Sequence, residues 1–103
     1  MQRYPVRATH RRNLTGAALE AICLAQFEGV VRDGESVTAH WGAIERLTVR
    51  AEGKELGVDL TMNPKVEETV AAATIQRYNA FLNDATGYSS KERAKRLRKS
   101  AGE

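Results

Sequence analysis

A chain of 103 residues, 42% of them apolar, is long enough for one domain with its own core and too short for two. The single Cys23 excludes an internal disulfide, and with only His10 and His40 beside it no zinc site can be assembled. No apolar run reaches membrane-span length and the basic start MQRYPVRATHRRN lacks the apolar stretch of a signal peptide, so a cytoplasmic protein without membrane contact or cofactor is expected.

The first element is a strand over Gln2 to Ala8, with Tyr4, Val6 and Ala8 on one side and Arg3, Pro5 and Arg7 on the other. Pro5 cannot donate to a ladder, which assigns this strand to a sheet edge. A polar link, His10 to Asn13, leads to Thr15, whose hydroxyl suits a helix N-cap. The helix runs to about Gln26, and Leu14, Ala18, Leu19, Ile22 and Ala25 form its inner stripe. Cys23 lies near the margin of that stripe and reads as a small packed residue rather than a catalytic thiol.

From Phe27 the apolar period changes from that of a helix to two. Glu28 to Arg32 and Ser36 to Trp41 flank Asp33-Gly34, a pair suited to the positive φ angles of a tight hairpin. After Gly42-Ala43, Ile44 to Ala51 points Leu47, Val49 and Ala51 inward and Arg46, Thr48 and Arg50 outward. Beyond Glu52-Gly53, Leu56, Val58, Leu60 and Met62 supply the buried side of the next strand, with Gly57, Asp59 and Thr61 outside. Four strands joined by short turns make an antiparallel meander, with one face packed and one facing water.

The longest periodic stretch follows. Asn63 is a suitable N-cap with Pro64 at the first helical position, and Gly87 supplies a left-handed stop. Between them Val70, Ala71, Thr74, Ile75, Tyr78, Phe81, Leu82 and Ala85 recur at the helical period as a buried face. A short third helix begins at Ser89, where Ser89 and Glu92 have the spacing of a capping box. The order is β-α-β-β-β-β-α plus that terminal helix. It implies an α+β fold: a two-layer sandwich with an antiparallel sheet of about five strands and helices on one face. Residues 1–88 form the domain body, and 89–103 a basic helix and tail.

Charge is unevenly placed. Arg3, Arg7, Arg11 and Arg12 stand at the start without an acid, and Lys91, Arg93, Lys95, Arg96, Arg98 and Lys99 stand near the end against Glu92 alone. These two segments hold ten of the sixteen basic residues, and the stretch between them carries a net charge of −5.

The runs GAIERLTVRAEGKEL and IQRYNAFLNDATGYSSKERAKRLRK resemble a family of small archaeal orphan proteins of unknown function, across nearly the whole chain. The order of elements resembles the repeat of the TATA-box-binding protein fold. The resemblance implies a single-domain archaeal cytosolic protein and a two-layer fold, with no activity and no catalytic residues to carry over.

Enzyme motifs are lacking: there is no glycine-rich phosphate loop, no paired metal ligands and no nucleophile beside a base. His40 reads as a solvated strand residue. A non-enzymatic binding protein is therefore expected, with two candidate partner classes. In the first, Arg3, Arg7, Arg46 and Arg50 on the open sheet face and Lys91, Arg93, Lys95, Arg96, Arg98 and Lys99 on the terminal helix contact the phosphates of DNA or RNA. In the second, the chain docks on a protein or on itself through an edge strand or spare apolar residues such as Leu24. A basic terminal helix with only Ala94 and Leu97 apolar gains little from packing, so its removal is expected to leave the stability of the body unchanged. The competing expectation is that Tyr88, Ala94 and Leu97 dock it as a brace.

Overall fold

The structure, a computed structural model, describes residues 2–101, with side chains up to Arg96. Its elements are β1 (Gln2–Pro5), a 3-10 helix (Ala8–Asn13), α1 (Gly16–Gln26), β2 (Glu28–Asp33), β3 (Ser36–Trp41), β4 (Ile44–Glu52), β5 (Glu55–Met62), α2 (Glu68–Thr86) and α3 (Ser90–Ala101). The five strands form one antiparallel sheet in the order β1-β5-β4-β3-β2. The meander β2 to β5 is joined by tight turns. α1 carries the chain from β1 at one edge to β2 at the other, so Pro5 does lie in an edge strand, where a missing N–H costs no ladder bond. No helix among the described residues is long and apolar enough to cross a membrane.

The period of two in each strand puts Val37, Ala39, Leu47, Val49, Leu56 and Val58 on one face, where all are buried. Leu19 and Cys23 of α1 and Phe81, Leu82 and Ala85 of α2 complete that core, with the rings of Phe27 and Phe81 in tilted contact at 5.4 Å. Thr74 ties the layers together. Its hydroxyl donates to the carbonyl of Val70 at 2.7 Å and accepts from the N–H of Ala43 in the β3–β4 turn at 3.0 Å.

Several expected boundaries and faces move. β1 stops at Pro5, because the N–H of Arg7 turns away from the sheet to the carbonyl of Thr86 at 2.8 Å. The polar link after it winds into a 3-10 helix with His10 N–H on the carbonyl of Arg7. Asn63 does not cap α2. Its Oδ1 accepts from the N–H of Lys65 at 3.0 Å in an Asx-type turn, its own N–H donates to Ala43, and α2 begins at Glu68. In α1 the stripe centres on Leu19 and Cys23, both fully buried, while Ala25 is exposed. Ile75 of α2 is 53% exposed, and Met62 at the end of β5 is also exposed. Gly57 is buried instead of exposed.

Thr15 caps α1 as expected, accepting from the N–H of Ala18 at 3.2 Å. Gly34 takes its hairpin corner at φ 62°, and Gly87 ends α2 in the left-handed region at φ 78°.

Candidate nucleic-acid interface

The C-terminal end of α2 leaves carbonyls without helical partners, and the start of the chain supplies donors for them. Arg7 gives its backbone N–H to the carbonyl of Thr86 at 2.8 Å and its Nε to the carbonyl of Gly87 at 3.1 Å. Asn13 Nδ2 donates to the carbonyls of Asp84 at 3.2 Å and Ala85 at 3.3 Å. The ring of His10 lies against Gly87, where a side chain would collide with it. A guanidinium at this position also complements the negative end of the helix dipole. The 3-10 helix is therefore held along the last turn of α2, with Arg11 and Arg12 exposed.

Two residues, Tyr88 and Ser89, separate Gly87 from the start of α3 at Ser90, and the capping box forms as the sequence implies. Glu92 N–H donates to Ser89 Oγ at 3.3 Å and Ser89 N–H donates to Glu92 Oε1 at 3.2 Å. The other carboxylate oxygen of Glu92 accepts from Arg7 at 3.0 Å. Its carboxyl is held below the usual range, first by the Ser89 backbone N–H, then by the Ser89 hydroxyl and by Arg7. This bridge links residues from the two ends of the chain.

Arg93 fixes the helix to the body. Its side chain is 3% exposed, and its guanidinium donates to Asn83 Oδ1 at 2.6 Å, the Tyr88 carbonyl at 2.5 Å, Asn79 Oδ1 at 3.2 Å and Ser90 Oγ at 3.1 Å. All four acceptors are neutral. Burial without a carboxylate partner lowers the Arg93 pKa, but an arginine remains charged at any physiological pH. Tyr88, itself buried, carries the guanidiniums of Arg7 at 4.6 Å and Arg96 at 4.4 Å from its ring centre.

The expected phosphate contacts thus divide by location. Lys91, Lys95 and Arg96 project from α3 and are exposed. Arg98 and Lys99 belong to the helical backbone of α3, and their side chains lie outside the described residues. Arg93 faces inward and braces the helix instead of meeting solvent. Arg7 lies at the α2–α3 junction, off the open sheet face where the alternation placed it. Arg3, Arg46 and Arg50 do lie on the open face: Arg3 and Arg50 flank Gly57 in the register, and Arg46 and Arg50 line a shallow groove with Thr48, Asp59 and Thr61. That face is not predominantly cationic, since Asp59 lies in the groove, Arg50 is paired with Glu52 at 2.6 Å, and Glu55 shares the outward register.

Arg11 and Arg12 were not among the expected contacts, although the charge run that contains them was visible. What the sequence did not show was that this run lies against the same helix end that launches α3. Arg7 and Arg96, one from each basic segment, meet on the ring of Tyr88, and Arg7 also reaches Glu92 and the carbonyl of Gly87.

The model of the family described as a domain of unknown function, DUF5611, matches residues 1–99. The chain is similar to the NMR solution structure of a hypothetical protein from Thermoplasma acidophilum, with a TM-score of 0.69 and 24% identity over 94% of this chain and 97% of that one. At that identity the likeness concerns the fold alone. No curated protein matches the chain.

Proposed function

The chain belongs to the DUF5611 family, whose function is unknown, and from that premise we propose that it is a non-enzymatic protein that binds the phosphate backbone of a nucleic acid. The observation that carries this reading is the joining of the two basic termini at the α2–α3 junction. Arg7 bonds Glu92 at 3.0 Å, and the ring of Tyr88 holds one guanidinium from each segment. Self-repulsion opposes gathering cations on one side of a body that is otherwise net acidic, and an anionic partner relieves it. Arg11, Arg12, Lys91, Lys95 and Arg96 are the proposed contacts, with Arg7 and Arg93 positioning them. Arg98 and Lys99 extend the same charge run. The arginines of the open sheet face are a secondary surface in this reading, because acids interrupt them.

The non-enzymatic part of the reading is supported by the chain's one thiol, since Cys23 is fully buried and its pKa is pushed up to about 12 by that burial. Resemblance of the element order to the TATA-box-binding protein repeat, and an archaeal cytosolic setting, are compatible with the proposal but do not assign it.

A gel shift with the intact chain across a salt series tests it. Three or four phosphate contacts give a slope of roughly −3 to −4 in log affinity against log salt on duplex DNA. Exchange of Lys91 and Lys95 for Ala should remove most of the affinity, whereas exchange of Arg46 and Arg50 for Ala should leave it nearly intact. Absence of salt-sensitive binding at micromolar protein sinks the reading. The exposed Leu24, Val31, Met62 and Ile75 favour a protein-docking role in its place, which size-exclusion chromatography would show as salt-insensitive association.

A further inference from the structure

Resting on the phosphate-binding reading, we infer that the partner is a double-helical nucleic acid gripped chiefly along its backbone. Proteins that hold single strands rely on exposed aromatic rings on which unpaired bases stack. This chain has six aromatic residues, and each is already engaged. Phe27 and Phe81 pack on each other in the core. Tyr4 is buried, its hydroxyl 3.3 Å from that of Tyr78, which is half-buried. Trp41 is half-buried beneath the Arg77 guanidinium at 4.3 Å, and Arg77 is tethered in turn to the carbonyl of Gln26 at 3.1 Å. Tyr88 is the aromatic residue of the basic surface, and Arg7 and Arg96 occupy its ring. A base could stack there only by displacing a guanidinium.

Readout of adenine by amides is closed off for a related reason. Side-chain amides are the usual readers of adenine. At this surface Asn79 and Asn83 accept from Arg93, and the amide of Asn13 donates to the end of α2. What projects freely is Lys91 and Lys95, with Arg11 and Arg12 on the neighbouring 3-10 helix. Lys91 and Lys95 are point charges and Arg11 and Arg12 are planar forks that match phosphate oxygens, and Arg93 and Arg7 fix the end of the fold that carries them. Cations at fixed spacing suit a stiff partner of high charge density, and a duplex carries one phosphate per roughly 1.7 Å of axis against roughly 3.4 Å for one strand.

Fluorescence anisotropy with the full chain decides the matter, using a labelled duplex DNA, the duplex RNA of the same sequence, the separated strands and a scrambled duplex. The expected result is that at least one duplex binds about tenfold tighter than its strands, and that scrambling changes affinity by less than about twofold. Preference between the DNA and RNA duplexes identifies the source of the helix, and either outcome supports the inference. Strands that bind as tightly as the duplexes, or a scrambled duplex that binds about tenfold more weakly, overturn it while leaving the phosphate-binding reading in place. If no nucleic acid shows salt-dependent binding, both fall.

Discussion

Replacing Arg93 by Met removes the guanidinium that holds α3 to the body but keeps an unbranched apolar stem in its place. Four donor contacts vanish, to Asn83, Tyr88, Asn79 and Ser90. Hydrogen bonds from a charged group contribute about 1.5–3 kcal/mol each, giving a gross loss of roughly 6–12 kcal/mol. Against this stands the cost of burying an unpaired cation, several kcal/mol, which the Met variant no longer bears. Asn79, Ser90 and Asn83 are exposed enough to regain water, whereas the buried Tyr88 keeps only a long contact from the Thr86 hydroxyl at 3.5 Å. The net loss is therefore about 2–4 kcal/mol. In a domain of this size each kcal/mol moves Tm by about 4–8 °C, so a fall of roughly 10 °C or more is expected by calorimetry. Arg93→Lys should fall between, because an ammonium cannot fork to several acceptors. Nucleic-acid affinity should drop with Arg93→Met as α3 loses its fixed position. A Tm change below about 2 °C would mean that the guanidinium contributes nothing net and that α3 is not braced by it. By the same reasoning, deletion of residues 90–103, which removes the same guanidinium, should lower Tm by about as much. The packing thus favours a docked helix, but one held by Arg93 on the buried Tyr88 and its neighbours: Ala94, expected to dock it, is exposed, and the side chain of Leu97 lies outside the described residues.

Phe81→Ala, at the centre of the contact between α1, α2 and the sheet, should cost about 3–5 kcal/mol by denaturant titration; a loss under about 1 kcal/mol contradicts its place in the core. Cys23 should resist alkylation in the native state and react on unfolding, since burial both blocks access and suppresses the thiolate; rapid native labelling would refute this. Glu92 has a depressed carboxyl pKa, so its contribution is present above the unfolded-state value and is lost as pH falls through the folded-state value. Protection factors of the amides in the first turn of α3, intrinsic pH-dependent exchange rates divided by the observed ones, should accordingly fall on acidification through the carboxylate range, and Glu92→Gln should abolish that dependence.

The alternation in β2 to β5, the Asp33-Gly34 corner, the Thr15 cap and the Gly87 stop were all legible in the chain, because each is a local preference of backbone and neighbouring side chains. Local rules also failed where two of them competed. Asn63-Pro64 reads equally well as a cap and as a turn, and the turn is what forms: Asn63 Oδ1 accepts from the N–H of Lys65 while its own N–H donates to the carbonyl of Ala43 in the β3–β4 turn. The helical period marked Ile75 as apolar but could not say which neighbours would cover it, and it is left 53% exposed. The candidate site shows the same division. Composition showed two basic termini and an acidic middle, yet charge runs carry no information on which of them meet or which cations face inward. Only the packing of the 3-10 helix on the last turn of α2 brought Arg7 to Glu92 and Tyr88, and only the acceptors of Asn79, Asn83 and Tyr88 drew Arg93 out of the solvent. Those contacts span 5 to 85 positions in the chain, and a buried polar group must find its partners wherever the fold has placed them.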